Sequence, residues 1–257
     1  MRLETMANAR FFLFLCLIVS LVVSDTLAND LKKETASLKI IQKNLSQWHL
    51  KQIELNDNAS ESIFKHYIDS LDPGKRYFTK TLLKELEKDK KEIDNQITSD
   101  SSQFFIKSIS LFKKQLIWIG KNTKGYLNNP IEFSNKDHLF LDSDLRDYPK
   151  NNEALLEYWR RLLNYQVITK MIELEKKKLP ETKEEKETEK SIAALSSFKF
   201  SKKTEKKARQ LIKEQLQRQI SRLQDKPTSE FYALYINALS QLYDPHTRYF
   251  PPEDKED

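Results

Sequence analysis

Glycine is nearly missing from this chain, with three in 257 residues. Dinucleotide-binding, phosphate-cradling and nucleophile-elbow folds all need glycines where the backbone turns sharply or approaches a ligand, so those architectures are excluded. Cysteine occurs once, as Cys16, inside an apolar stretch and directly behind Leu15 rather than a small residue. That position argues against a lipid-attachment site and leaves the rest of the chain without disulfide or thiol chemistry. Long hydrophobic runs are also scarce: Phe11 to Val23 is the main one, and it is too short to span a bilayer comfortably. With Arg2 and Arg10 in front and Thr26-Leu27-Ala28 behind, residues 1–28 read as a secretory signal, the alternative being an uncleaved N-terminal anchor.

Charge is abundant instead, with 44 Lys and Arg against 38 Asp and Glu and a net +6. The signal contributes none of this excess, because Arg2 and Arg10 offset Glu4 and Asp25. Acidic and basic residues interleave, which gives solvated helix faces rather than a basic stripe and does not favour nucleic-acid binding.

Apolar residues recur at helical spacing along most of the chain. Leu38, Ile41, Leu45, Trp48 and Ile53 predict a long helix over 31–55. Asn58 and Glu61 have capping-box spacing ahead of the next helix, which carries Ile63, Phe64, Tyr67, Ile68 and Leu71. Thr79 opens a third helix through about Ile97. Phe104, Phe105, Ile109, Phe112, Leu116 and Ile119 make the most apolar stripe. Residues 126–152 are irregular, with short extended pieces at 131–133 and 138–141. Leu155, Trp159, Leu162, Leu163, Val167 and Met171 restore a strong helix. Residues 179–190 are charged, solvated and the expected protease-sensitive stretch, and a short helical piece surrounds Ile192 and Leu195. Two further helices carry Ala208 to Leu223 and Phe231 to Leu242. The expected fold is all-α: one irregular domain of about seven helices over 29–243, after the signal and before an extended tail over 244–257. Trp48, Trp118 and Trp159 all sit on stripes and read as core anchors.

Two octets echo each other. Leu71-Asp72-Pro73-Gly74-Lys75-Arg76-Tyr77-Phe78 and Tyr243-Asp244-Pro245-His246-Thr247-Arg248-Tyr249-Phe250 share Asp, Pro, Arg, Tyr and Phe in register. Each proline disfavours a helical Asp before it, so each octet is expected to end a helix. Asp72 and Asp244 can start turns by bonding backbone groups, and Gly74 supplies positive φ if the turn needs it. Tyr77, Phe78, Tyr249 and Phe250 are expected to pack back on the helix just ended. The candidate motif residues are therefore Asp72, Pro73, Arg76, Tyr77 and Phe78, and Asp244, Pro245, His246, Thr247, Arg248, Tyr249 and Phe250.

Chemistry is sparse by comparison. No Gly-x-Ser-x-Gly elbow exists, and no lysine lies in an apolar, glycine-lined setting that would lower its pKa. His66, Asp69 and Asp72 share rough helical spacing, but the paired histidines of a zinc site are lacking. Asp142, Asp144 and Asp147 hint at a calcium loop without its glycine or distal glutamate, so turn and capping roles are favoured. His246 beside Asp244 suits a local hydrogen bond. No catalytic, cofactor or metal residue is assigned.

The order of motifs resembles the N-terminal helical region of the tail-specific, or C-terminal processing, proteases of the bacterial periplasm. Ile68-Asp69-Ser70-Leu71-Asp72-Pro73 with Tyr77-Phe78 looks like that family's first segment. Phe140-Leu141-Asp142 followed by Leu156-Glu157-Tyr158-Trp159-Arg160 looks like its middle segment. Tyr235-Ile236-Asn237-Ala238-Leu239 and Tyr243-Asp244-Pro245-His246-Thr247 with Tyr249-Phe250 look like the signature ahead of its PDZ module. Arg248 stands where the family often has a smaller residue. The resemblance implies a periplasmic serine endopeptidase that recognises apolar C-termini. Its PDZ module and Ser/Lys core would follow Asp257, and no residue here matches the catalytic pair. The chain is thus expected to be a non-catalytic scaffold or docking domain, whose partner is a PDZ and protease core supplied separately. The alternative is a free-standing periplasmic helical adaptor that uses exposed octet aromatics. Neither reading needs nucleic acid, a cofactor or a membrane beyond an uncleaved signal.

Overall fold

The computed structural model describes residues 31–131, 138–176 and 201–251. The signal segment, the extended piece at 132–133, the charged stretch 179–190, the helical piece at Ile192 and Leu195 and the tail beyond 251 lie outside the described residues. Among the described residues there are eight α-helices and no strand. They are α1 (31–48), α2 (Asp57–Leu71), α3 (Lys80–Leu86), α4 (Ile93–Thr98), α5 (Gln103–Thr123), α6 (Asn152–Lys176), α7 (Lys202–Asp225) and α8 (Thr228–Tyr243). The all-helical expectation holds. No described helix is long and apolar enough to cross a membrane.

The extra helix arises where a third helix was expected to run unbroken from Thr79 to Ile97. Leu86 and Ile93 are fully buried, and the six residues between them are all charged. A straight helix there has nothing to bury for nearly two turns, so the chain tightens into a 3₁₀ turn at Glu87–Asp89 and restarts. Ser60 fixes the restart. Its hydroxyl donates to Asp94 Oδ1 at 2.8 Å and accepts from the Asp94 N–H at 2.9 Å. α1 stops at residue 48 instead of reaching 55, and Trp48 is 81% exposed, so it is no core anchor. Asn56, not Asn58, caps α2, its side-chain oxygen accepting the N–H groups of Asn58 and Ala59. Residues 138–141 form no strand.

The described residues divide into two compact units, neither continuous in sequence. Unit 1 holds 31–71, 86–109 and 226–251. Its centre is aromatic: α8 lies along α2, with Tyr67 edge-on to Tyr235 at 5.3 Å and Phe105 against Tyr232 at 4.5 Å. Two of the buried tyrosine hydroxyls are partnered, Tyr67 with Ser108 at 3.1 Å and Tyr232 with Ser102 at 2.9 Å, and Ser102 in turn meets Thr35 at 2.8 Å. Burial pushes the phenol pKa values of Tyr67 and Tyr235 well up, so both rings stay neutral.

Unit 2 holds the described residues of Asp72–Glu85 and Ser110–Asp225. α6 and α7 pack together, and the 3₁₀ turn Lys124–Leu127 packs on both. Leu155, Trp159, Leu163, Val167 and Leu116 are buried here, the first and third to fifth fully or almost so. Each such aliphatic side chain stabilises by about 1.5–3 kcal/mol relative to exposure.

Candidate functional site

Both octets end helices, as their prolines require: α2 stops at Leu71 and α8 at Tyr243. Beyond that shared role they diverge, and they fall in different units.

The first octet is a buried turn built on one carboxylate. Asp72 is fully buried, Pro73 is exposed and Arg76 is half-buried. Asp72 Oδ1 accepts the Arg76 N–H at 2.8 Å, and Oδ2 accepts the N–H groups of Tyr77 and Phe78 at 2.9 Å each. Burial drives the Asp72 carboxyl pKa upward, while those three donors and the nearby Arg146 charge act to lower it. Lys75, not Gly74, takes the left-handed conformation, at φ 46°. A Cβ at Gly74 would come within 2.9 Å of the Arg76 side chain, which would have to shift.

A second loop locks this turn. Arg146 donates to the carbonyls of Gly74 and Lys75, donates to the Tyr158 hydroxyl at 3.0 Å and stacks over that ring at 4.2 Å. Lys75 Nζ answers with bonds to the carbonyls of Ser143 and Arg146 at 2.8 and 2.9 Å. Asp147 pairs with Lys80 at 2.8 Å, and the hydrogen bond from Lys80 holds the Asp147 pKa below its usual value. Asp144 donates its N–H to Asp142 at 2.9 Å, so these aspartates shape and pin a turn. Among the described residues no group of three or more His, Cys, Asp and Glu could share a metal ion.

Tyr77 and Phe78 are buried. Their ring contacts reach far along the chain: Tyr77 meets Phe112 edge-on at 5.4 Å and Trp159 at 6.2 Å, and Phe78 meets Phe112 at 5.7 Å. Trp159 Nε1 donates to the Arg76 carbonyl at 2.8 Å, and Gln219 donates to the Tyr77 hydroxyl at 2.8 Å. One short turn thereby gathers α5, α6, α7 and the 143–147 loop.

The second octet is open. Asp244 Oδ1 accepts the His246 N–H at 2.9 Å, the local bond expected there, although the imidazole takes no part in it. The Thr247 N–H closes the turn on the Asp244 carbonyl at 3.0 Å. Pro245, His246 and Arg248 are exposed, Thr247 and Tyr249 are half-buried, and Phe250 is 59% exposed. Asn237 clasps the returning chain through both ends of its side-chain amide, donating to the Tyr249 carbonyl at 3.1 Å and accepting the Tyr249 N–H at 2.6 Å.

Sequence reasoning found the turns but missed Arg146, Gln219 and Asn237, which fasten them. Asn237 sits inside the quoted Tyr235–Leu239 segment, a polar residue on an apolar stripe, and that was its available signal. Arg146 lies among aspartates that drew attention to themselves.

The model of the tail-specific protease N-terminal domain matches residues 41–253, which include both octets, the Arg146 loop and Trp159. The chain belongs to the tail-specific protease N-terminal domain family.

Proposed function

We propose that this chain is the non-catalytic helical scaffold of a periplasmic tail-specific serine endopeptidase, the part that carries a PDZ module and protease core rather than the part that cuts. The observation that carries this reading is the use to which the residues of the first octet are put. The Asp72 carboxylate has both oxygens occupied by backbone donors, and Tyr77 and Phe78 are buried. A carboxylate spent on three N–H groups is a structural brace, not an acid or base with access to substrate. Five serines point the same way: Ser62, Ser70, Ser108 and Ser240 donate to helix carbonyls, and Ser60 serves Asp94. Residues 1–28 have the make-up of an export signal, which supports a periplasmic setting.

The experiment is direct. The purified chain, incubated with a peptide ending in apolar residues, releases no product, and it acquires turnover only when mixed with the PDZ and core of a family member. Cleavage by this chain alone, lost on a single Ser→Ala change, overturns the reading. The adaptor alternative keeps only the second octet, because Phe250 is exposed whereas Tyr77 and Phe78 are not.

A further inference from the structure

The chain's net charge is +6, and α7 alone carries eight Lys and Arg against three Asp and Glu. The interleaving seen along the sequence is therefore undone in one place. Two adjoining grooves of about 600 and 570 Å³ border this helix in unit 2 and share Lys213. Lys121 and Lys124 rim the first, and Lys203, Lys206 and Lys207 rim the second. All five are exposed. Two of the three acidic residues of the same helix are engaged: Glu205 holds Arg209 at 3.0 Å and accepts the Ile131 N–H at 2.9 Å, and Glu214 accepts from Gln210 at 2.8 Å; the third, Asp225, closes the helix and lines neither groove. The first groove has an apolar lining of Ile117, Leu216 and Ile220, and Gly120 leaves room beside Ile220, where a Cβ would meet its side chain at 3.2 Å.

We propose that this lysine-rimmed double groove is a docking site for an acidic stretch of a partner polypeptide, with intermittent apolar side chains seated on that apolar lining. Three features select that occupant. The surface is concave, which suits an extended segment rather than a flat bilayer. No aromatic ring lines either groove, so bases have no stacking platform. The rim cations are lysines, and the one arginine present, Arg209, is buried and committed to Glu205 and the Leu127 carbonyl. Planar bidentate forks for phosphate are thus lacking, whereas dispersed point charges suit side-chain carboxylates. The site is separate from both octets and does not rest on the scaffold reading.

The test is fluorescence anisotropy on the whole chain with fluorescein-labelled peptides of about ten residues, at low salt and at about 0.15 M, where screening shortens to about 8 Å. One peptide is all glutamate and one places leucine at every third position. Both bind, the second more tightly, and affinity falls as salt rises. Lys121→Glu with Lys124→Glu, and Lys206→Glu with Lys207→Glu, each weaken binding by about tenfold, because rim charges steer association. Lys43→Glu with Lys65→Glu, an equal charge change on exposed lysines of α1 and α2, leaves binding within about twofold. Ile117→Ser keeps every charge and erases the advantage of the leucine peptide. The proposal is overturned if neither peptide binds at low salt, or if the α1/α2 control weakens binding as much as the groove pairs do. It is equally overturned if anionic vesicles or single-stranded DNA engage the same lysines more tightly than the peptides.

Discussion

At the scale of single residues, the two octet aspartates have one sequence role and two energetic weights. Asp72→Asn keeps the volume but sets an amide NH₂ against a backbone donor, and in a fully buried site that costs about 2–4 kcal/mol. Asp244→Asn retains an oxygen for the His246 N–H in an open turn and changes stability by less than about 0.5 kcal/mol. Urea unfolding of the two variants measures the contrast, and equal effects contradict the assignment of Asp72 as the brace. Glu157 contributes a share of the acid dependence. The hydrogen bond from Arg160, helped by Arg161, holds its pKa at about 2 against an ordinary 4.5. A lowered carboxylate pKa stabilises the fold above the unfolded value and loses that contribution as pH falls through the folded one. The relevant window is therefore about pH 4.5 down to about 2. Since the side chain is 44% exposed, solvent screening leaves only about 0.5–1 kcal/mol. Glu157→Gln flattens the unfolding free energy across that window by this amount, measured by urea unfolding at each pH, and an unchanged slope removes the role.

At the scale of elements, the tryptophans separate periodicity from burial. Trp48 and Trp159 occupy equally good stripe positions, yet Trp48 is 81% exposed and Trp159 is 2% exposed. Trp48→Ser shifts stability by less than about 0.5 kcal/mol. Trp159→Phe removes the bond to the Arg76 carbonyl and part of a filled volume, a loss of about 2–3 kcal/mol. Thermal melts and emission maxima of the two variants check both. This pair also marks what the chain made legible. Periodicity locates helices because a stripe has to be buried, and it placed α2, α5, α6, α7 and α8 correctly. It is blind to whether a stripe finds a partner, which is why α1 was drawn too long. It also passes over a gap of six charged residues, so Leu86 and Ile93 were joined into one helix. The octets were legible as turns because proline acts locally. Arg146 and Gln219 act on the first turn from about 70 and 140 positions away, and no spacing rule reaches that far.

At the scale of the whole molecule, the chain passes between its two units at residues 71–72, 85–86, 109–110 and 225–226. Unit 1 is therefore completed only by the last segment. α8 supplies Phe231, Tyr232, Tyr235 and Ile236, all nearly or fully buried, and α2 packs along it. Ending the chain after Asp225 takes away 16 helical residues directly, and it also removes Tyr235 from beside Tyr67 and Tyr232 from beside Phe105. A helix as short as α2, with 15 residues, is marginal once the part of its apolar face that α8 covers is laid bare. The loss of far-ultraviolet circular dichroism is accordingly larger than α8 alone accounts for. Unit 2 keeps every partner of Trp159 described above, namely Tyr77 and the Arg76 carbonyl, both inside its own residues. In a background where Trp159 is the sole tryptophan, its emission stays blue and poorly quenched by acrylamide after the truncation. A red-shifted, quenchable Trp159 shows instead that unit 2 does not hold its core once α8 is gone, and the two units then fold as one.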